Sequence, residues 1–254
     1  MKKFAVILLV FMVVGACKNE FEPPLNESIY GHEYYPLEVG KFRIYRVDSI
    51  QFDLGANDLP IQDSSTYYVR DDYVETFKDQ TGLDVFRIER YRSPDPGGPW
   101  AIQDVVTQSR TVNQAYYSEN NLRLINLVFP VEKGIRWDGN AFIKDDIIVF
   151  IRGESLEMFK GWEYEVLSVD SSEVVGDITF DQVATIQQAN NNNAIEFRYS
   201  MEKYAKGVGL IFRHREIMDS YCKYIGNNEP CIGKAWREKA GRGFIMRETL
   251  IAHN

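Results

Sequence analysis

Histidine and cysteine are scarce, with three of each in 254 residues. His32, His214 and His253 stand far apart, and no CxxC or HxxxH spacing accompanies the cysteines, so no metal centre of ordinary ligand spacing is expected. Basic residues are also in deficit, 29 Lys and Arg against 37 Asp and Glu. A surface of that sign repels phosphate backbones, which excludes nucleic acid as a partner and leaves no polybasic clamp for anionic lipid. The loops of common cofactor and hydrolase sites are missing. There is no GxSxG nucleophile elbow and no Asp-x-Asp-x-Asp-Gly calcium loop. Gly207-Val208-Gly209 and Gly241-Arg242-Gly243 lack the third glycine of a dinucleotide loop, and Gly233-Lys234 is followed by Ala235 where a phosphate loop needs Ser or Thr. No cofactor is implied. Helical periodicity is sparse as well, and helix is expected only over 153–160 and 234–240.

The longest apolar run extends from Phe4 to Val14 behind Lys2 and Lys3. It falls within the roughly 7–15 residue core of a secretory signal and short of the roughly 20 residues that span a bilayer. The tetrad Val14-Gly15-Ala16-Cys17 that ends it resembles the lipobox of bacterial lipoproteins. This resemblance implies cleavage before Cys17, diacylglycerol and palmitate-type acyl chains on that cysteine, and attachment to the outer membrane of the cell envelope, facing the periplasm or the surface. Residues 1–16 are then a signal peptide, residues 17–33, with Pro23-Pro24, a lipidated tether, and residues 34–254 a single β-rich domain. Loss of Lys2 and Lys3 with the leader makes the mature chain still more acidic. Cys222 and Cys231 remain as an even pair in an exported protein, flanking a Gly226-Asn227-Asn228 tip, and a disulfide is expected between them.

Aromatic residues are abundant, 13% of the chain with 15 Tyr and 15 Phe. They occur in short runs with Val and Ile, separated by Gly, Pro, Asn and Asp clusters, which is the composition of strands and turns. Strands are expected over 41–52, 65–77, 83–92, 100–109, 112–117, 122–129, 147–152, 162–169, 174–178, 180–189, 195–202, 208–218 and 244–252. Asp79-Gln80-Thr81-Gly82, Glu119-Asn120-Asn121 and the Asn190–Asn193 run mark tight reversals. The expected fold is mainly β, an antiparallel meander curled into a barrel or half-barrel, because ten or more strands rarely remain a flat open sheet.

Three segments, Tyr34-Tyr35-Pro36-Leu37 with Gly40, Phe129-Pro130 with Gly134, Trp137, Gly139 and Asn140, and Lys206-Gly207-Val208-Gly209-Leu210, together resemble a group of Bacteroidota envelope lipoproteins. The resemblance implies a lineage and an envelope location but no activity. Lys18-Asn19-Glu20 partly resembles the surface-export signal of that phylum, and Asp48-Ser49-Ile50 its short O-glycosylation acceptor.

Adjacent acids at Asp71-Asp72 and Asp145-Asp146 would point to opposite faces of a strand, so neither pair forms a dyad by itself. The function read from the sequence is non-enzymatic. One reading is a binding module for an apolar or amphiphilic envelope molecule. On it, Ile195, Phe197, Tyr199 and Met201 form the dry face of the best alternating strand and line a concave apolar groove, with Trp137 and Trp162 packing nearby. A second reading is a structural or interaction subunit that meets an envelope protein, and a third is a hydrolase with carboxylates brought together from distant strands. The shape and lining of the concave face discriminate among them.

Overall fold

The computed structural model describes residues 27–254, except 56, 57, 145 and 152. The leader, Cys17 and Asp145 of the second acid pair lie outside the described residues. Six antiparallel strands follow one another as a meander: β1 (Phe42–Leu54), β2 (Pro60–Lys78), β3 (Asp84–Ser93), β4 (Ala101–Arg110), β5 (Gln114–Glu119) and β6 (Leu122–Val128). A crossing segment then carries the short β7 (Arg136–Trp137) and a hairpin of β8 (Val149–Ile151) and β9 (Glu154–Leu156). A second meander comprises β10 (Tyr164–Val175), β11 (Ile178–Asn192), β12 (Glu196–Ala205), β13 (Gly209–Ser220) and β14 (Ala240–His253). Pairing of β1 with β14 welds the two meanders into one sheet of order β6-β5-β4-β3-β2-β1-β14-β13-β12-β11-β10-β7. The sheet curls into a nearly closed barrel. Its two edges meet where the Ile125 amide donates to the Gly139 carbonyl at 2.8 Å and the Trp137 indole donates to the Ile125 carbonyl at 2.8 Å.

Turn chemistry sets many of the reversals. Asn120 and Asn121 adopt the left-handed backbone (φ 51 and 62) that a two-residue hairpin needs, and the Asp79 carboxylate accepts from the Thr81 and Leu83 amides. Two expectations give way here. The segment 153–160 is not helical: Gly153, at φ 89, turns the chain so that β9 pairs with the β-branched run of β8. The separate strands expected at 162–169 and 174–178 are one strand, β10. The polar Asp170-Ser171-Ser172 stretch between them is absorbed as register shifts against β11 instead of making a turn, and the reversal falls at Gly176-Asp177.

The two barrel ends are closed differently. At one end the segment after α1 (Glu27–Tyr30) folds inward as a plug. His32 is buried and its Nε2 donates to the Val112 carbonyl, Tyr34 donates to Asp170, and Tyr35 donates to the Tyr116 carbonyl. Packing therefore begins before Tyr34, inside the span read as tether, because His32 has the edge of Phe129 and a carbonyl to satisfy it. At the far end lie the β8–β9 hairpin, the β1–β2 turn, and an excursion between β13 and β14 that carries α2 (Tyr221–Ile225) and α3 (Trp236–Lys239). Cys222 and Cys231 are disulfide-bonded there, with Cα atoms 6.3 Å apart, and bury a small cluster with Tyr221 and Leu54. No helix among the described residues is long and apolar enough to cross a membrane.

Candidate functional site

The best alternating strand presents the opposite face to the one expected. On β12, Glu196, Arg198, Ser200, Glu202 and Tyr204 are buried, while Phe197, Tyr199 and Met201 are half-buried on the outer surface, and Ile195 precedes the strand half-buried. These four residues do not line a concave groove. Phe197 stacks on Trp236 of α3 with ring centroids 5.6 Å apart, beside an outer cluster of Phe52, Met218 and Ile245. Tyr199 meets His214 edge-on, and His214 pairs with Glu216 at 2.9 Å, so this histidine has a structural role. Trp137 and Trp162 are packing residues: one closes the seam, and the other, buried between Phe159 and Tyr164, donates to the Met158 carbonyl. Ser49 of the glycosylation-like triplet is buried in the strand, where a glycosyltransferase has no access.

Among the apolar side chains of the core, such as Val47, Ile88, Val106, Leu127, Ile186 and Ile211, the interior holds charges that neutralise one another. Arg213 donates from Nε to Glu202 at 2.6 Å and from Nη1 to Glu248 at 2.8 Å, and Tyr204 donates its hydroxyl to Glu202. Arg90 grips Asp71 through two bonds of 2.8 Å, while Asp72 faces outward to Arg70; the adjacent acids are split as a strand requires. Arg43 donates to Tyr73, whose hydroxyl continues to Gln108. Arg43, Arg90 and Arg213 thus lie among Asp71, Glu202 and Glu248, and a second buried pair, Arg198 with Asp219 at 2.7 Å, lies further along β12 and β13. Burial by itself would raise the Glu202 carboxyl, but Arg213, Arg215 and the Tyr204 hydroxyl overcome it and hold the group below its ordinary range. Burial opposes the Arg213 charge, yet Glu248 and Glu202 keep it well above the ordinary arginine value. The same burial pushes the Tyr35, Tyr117 and Tyr204 hydroxyls well up. Amid these groups the hollow is about 10 Å³, room for about one water. Around these groups side chains fill the space, so the expected apolar groove walled by Ile195, Phe197, Tyr199 and Met201 is absent among the described residues.

A larger hollow lies off-axis at the far end, about 140 Å³ between the β5–β6 turn and the segment after β9. Leu122, Leu124, Val149, Met158 and Phe159 make its apolar wall, with Glu119 and Arg215 as its charged groups. Above this end, exposed apolar side chains crown three separate connections. They are Leu59 and Ile61 after the β1 turn, Ile148 and Phe150 on the β8 side, and Ile225 and Ile232 flanking the disulfide excursion; Phe150 is 71% and Ile232 78% exposed. The connections are tied together. Ile61 and Ile151 line one cleft, and Arg242 pairs with Glu154 at 2.7 Å while lying over the Tyr224 ring. Sequence reasoning missed Glu202, Arg213, Arg215 and Glu248. Their signal was present as charged residues at period two on neighbouring strands, which a hydrophobicity rule reads as the wet face.

No protein-family model matches the chain, and no curated protein does. Among solved structures, the chain is similar to one described as "a putative lipoprotein" from Parabacteroides distasonis, at 9% identity and TM-score 0.39, with 87% of this chain and 98% of that chain covered. It is also similar to "a putative exported protein with YmcC-like fold" from Bacteroides fragilis, at 9% identity and TM-score 0.41, with 86% and 97% covered. Likenesses this loose carry no functional argument.

Proposed function

We propose that the protein is a non-catalytic lipoprotein of the cell envelope, held at the outer membrane by acyl chains on Cys17, that docks an envelope partner protein on the far rim of its barrel. The observation that carries this reading is that three tied connections at one end each carry a pair of exposed apolar side chains, Phe150 and Ile232 foremost. Isolated surface aliphatics are ordinary, whereas a shared apolar rim is the usual mark of an interaction site. The partner is a protein and not the anchoring bilayer, because the tether joins the plugged end. From Cys17 to Glu27 the chain reaches at most about 35 Å, while the 13-residue β1 alone extends about 40 Å along its axis. With 37 acidic residues to 29 basic, the surface suits an apolar patch on the partner ringed by basic groups. A catalytic role has little to stand on in the interior, where Asp71, Glu202 and Glu248 are each committed to an arginine.

The test replaces Phe150 or Ile232 with a photo-crosslinking residue in cells, with Phe77, an exposed apolar residue at the plugged end, as the control position. The reading expects one discrete protein adduct shared by the two rim positions and absent from Phe77. Equal adducts from Phe77, adducts to lipid alone, or none from the rim would overturn it.

A further inference from the structure

The off-axis hollow under the rim has a chemistry of its own, independent of the docking reading. Its apolar wall of Leu122, Leu124, Val149, Met158 and Phe159 encloses about 140 Å³. Dry cavities near 150 Å³ accept ligands about the size of benzene, so the space suits a chain of about five or six carbons. One cation in the wall is incompletely satisfied. The Arg215 side chain is only 12% exposed; its Nη2 reaches Glu202 no closer than 3.5 Å, and its buried Nε has no acceptor among the described residues. Glu202 gives Arg215 little because it already accepts from Arg213 at 2.6 Å and from Tyr204. The Trp162 ring, 5.7 Å from the guanidinium carbon, supplies a face but no hydrogen-bond acceptor. The other charged group, Glu119, is one-third exposed and occupied by Tyr117 at 2.9 Å and Arg90 at 3.5 Å. That Nε is shut off from the hollow by its surroundings, so an anion in the hollow would meet the guanidinium through its terminal nitrogens, of which Nη1 has no acceptor among the described residues.

We propose that this hollow binds a short-chain aliphatic monocarboxylate, its carboxylate on Arg215 and its alkyl chain along Leu122, Leu124, Val149, Met158 and Phe159. A single negative charge matches the single unsatisfied guanidinium. A phosphate dianion would bring a second charge beside Glu119 with no further cation among the described lining residues, and a neutral alcohol would offer the guanidinium a weaker acceptor. The ligand goes in head first, since the Arg215 side chain is only 12% exposed while Asn120 stands exposed at the mouth.

The test is calorimetric titration of the full chain from residue 17, carrying Cys17→Ser, with hexanoate, hexan-1-ol and hexyl phosphate. Methyl NMR of Met158, Leu122 and Leu124 in the otherwise unaltered chain runs in parallel. Hexanoate should bind at one site, at least about tenfold more tightly than hexanol or hexyl phosphate, the difference one charge-assisted hydrogen bond makes. It should also move those methyl signals. Arg215→Gln should weaken hexanoate about tenfold and leave hexanol unchanged, and Leu122→Trp, filling the hollow, should remove binding of both. Absence of heat and methyl shifts at millimolar hexanoate would overturn the proposal. So would equal binding of hexanol, or of hexanoate by a folded Arg215→Gln. The unaltered chain decides the matter even if a variant fails to fold.

Discussion

Arg213 serves two carboxylates at once, and Glu202 is fully buried between it and the Tyr204 hydroxyl. Withdrawing such charges from water costs several kcal/mol each, so the arrangement persists only because every member is paired. Removing one member leaves its partner's charge uncompensated, and removing Glu202 with Arg213 still strands Glu248, which pairs with Arg213. Glu202→Gln is expected to destabilise the fold by about 3 kcal/mol, whereas Glu202→Leu with Arg213→Met should cost less than the sum of the single changes. The pH dependence has a definite sign. The Glu202 carboxyl titrates below its ordinary value of 4.5, so the unfolded chain binds the proton more readily. Its contribution to stability is present above about pH 4.5 and lost as pH falls through the folded value. Urea midpoints measured from about pH 6 down to pH 3 should fall more steeply for the unaltered chain than for Glu202→Gln; parallel curves would show that Glu202 is not the group responsible.

At the scale of elements, closure rests on the slightest strand. The β7 strand pairs only Trp137 and Arg136 with β10, and the chain beyond it passes so close to Tyr164 that a Cβ on Gly139 would lie 2.3 Å from the phenol ring. Glycine is required there by contact. Tyr164 is fully buried and donates to Asn140 at 3.2 Å, so it has little room to retreat. Gly139→Ala should cost about 2–3 kcal/mol by overpacking and loosen the Ile125–Gly139 hydrogen bond. Faster amide exchange at Ile125, with exchange in the β1–β14 ladder unaltered, is the expected signature. Uniform change across the sheet would mean that the seam is not a separate unit.

For the whole molecule, direction matters more than size. The plug built from His32, Tyr34 and Tyr35 fixes one end as the place where the chain arrives, and the disulfide excursion and β8–β9 hairpin fall at the other. If Cys17 carries the acyl chains, the barrel stands on its plugged end and offers the rim outward. Two buried acyl chains suffice for stable anchoring at about 0.8 kcal/mol per methylene. Cys17→Ser should therefore shift the protein from the membrane pellet to the soluble fraction on fractionation, and unchanged partitioning would remove the anchor from the proposal.

Much of the chain's path was legible locally. Period-two runs marked the long strands, the paired asparagines marked a hairpin tip, and parity in a sequence read as exported marked Cys222 and Cys231, because each of these signals is set by neighbours in sequence. What period two does not carry is its phase. Alternation shows that β12 has two unlike faces, and a rule that sends apolar residues inward selects Phe197, Tyr199 and Met201. Pairing of consecutive strands sets Arg213 beside Glu202, Asp219 beside Arg198 and Gln188 beside Ser200, and those contacts make the polar face the stable interior. The apolar face is then left for α3 to cover with Trp236. The leader's apolar run and the strand content were determined by the sequence alone. Which side of the sheet is inside, and where a hollow survives, were decided by the partners each strand meets in the folded sheet, some from the next strand and some, like Asn126 against Tyr204, from far along the chain, since burial belongs to the assembled barrel and not to any one segment.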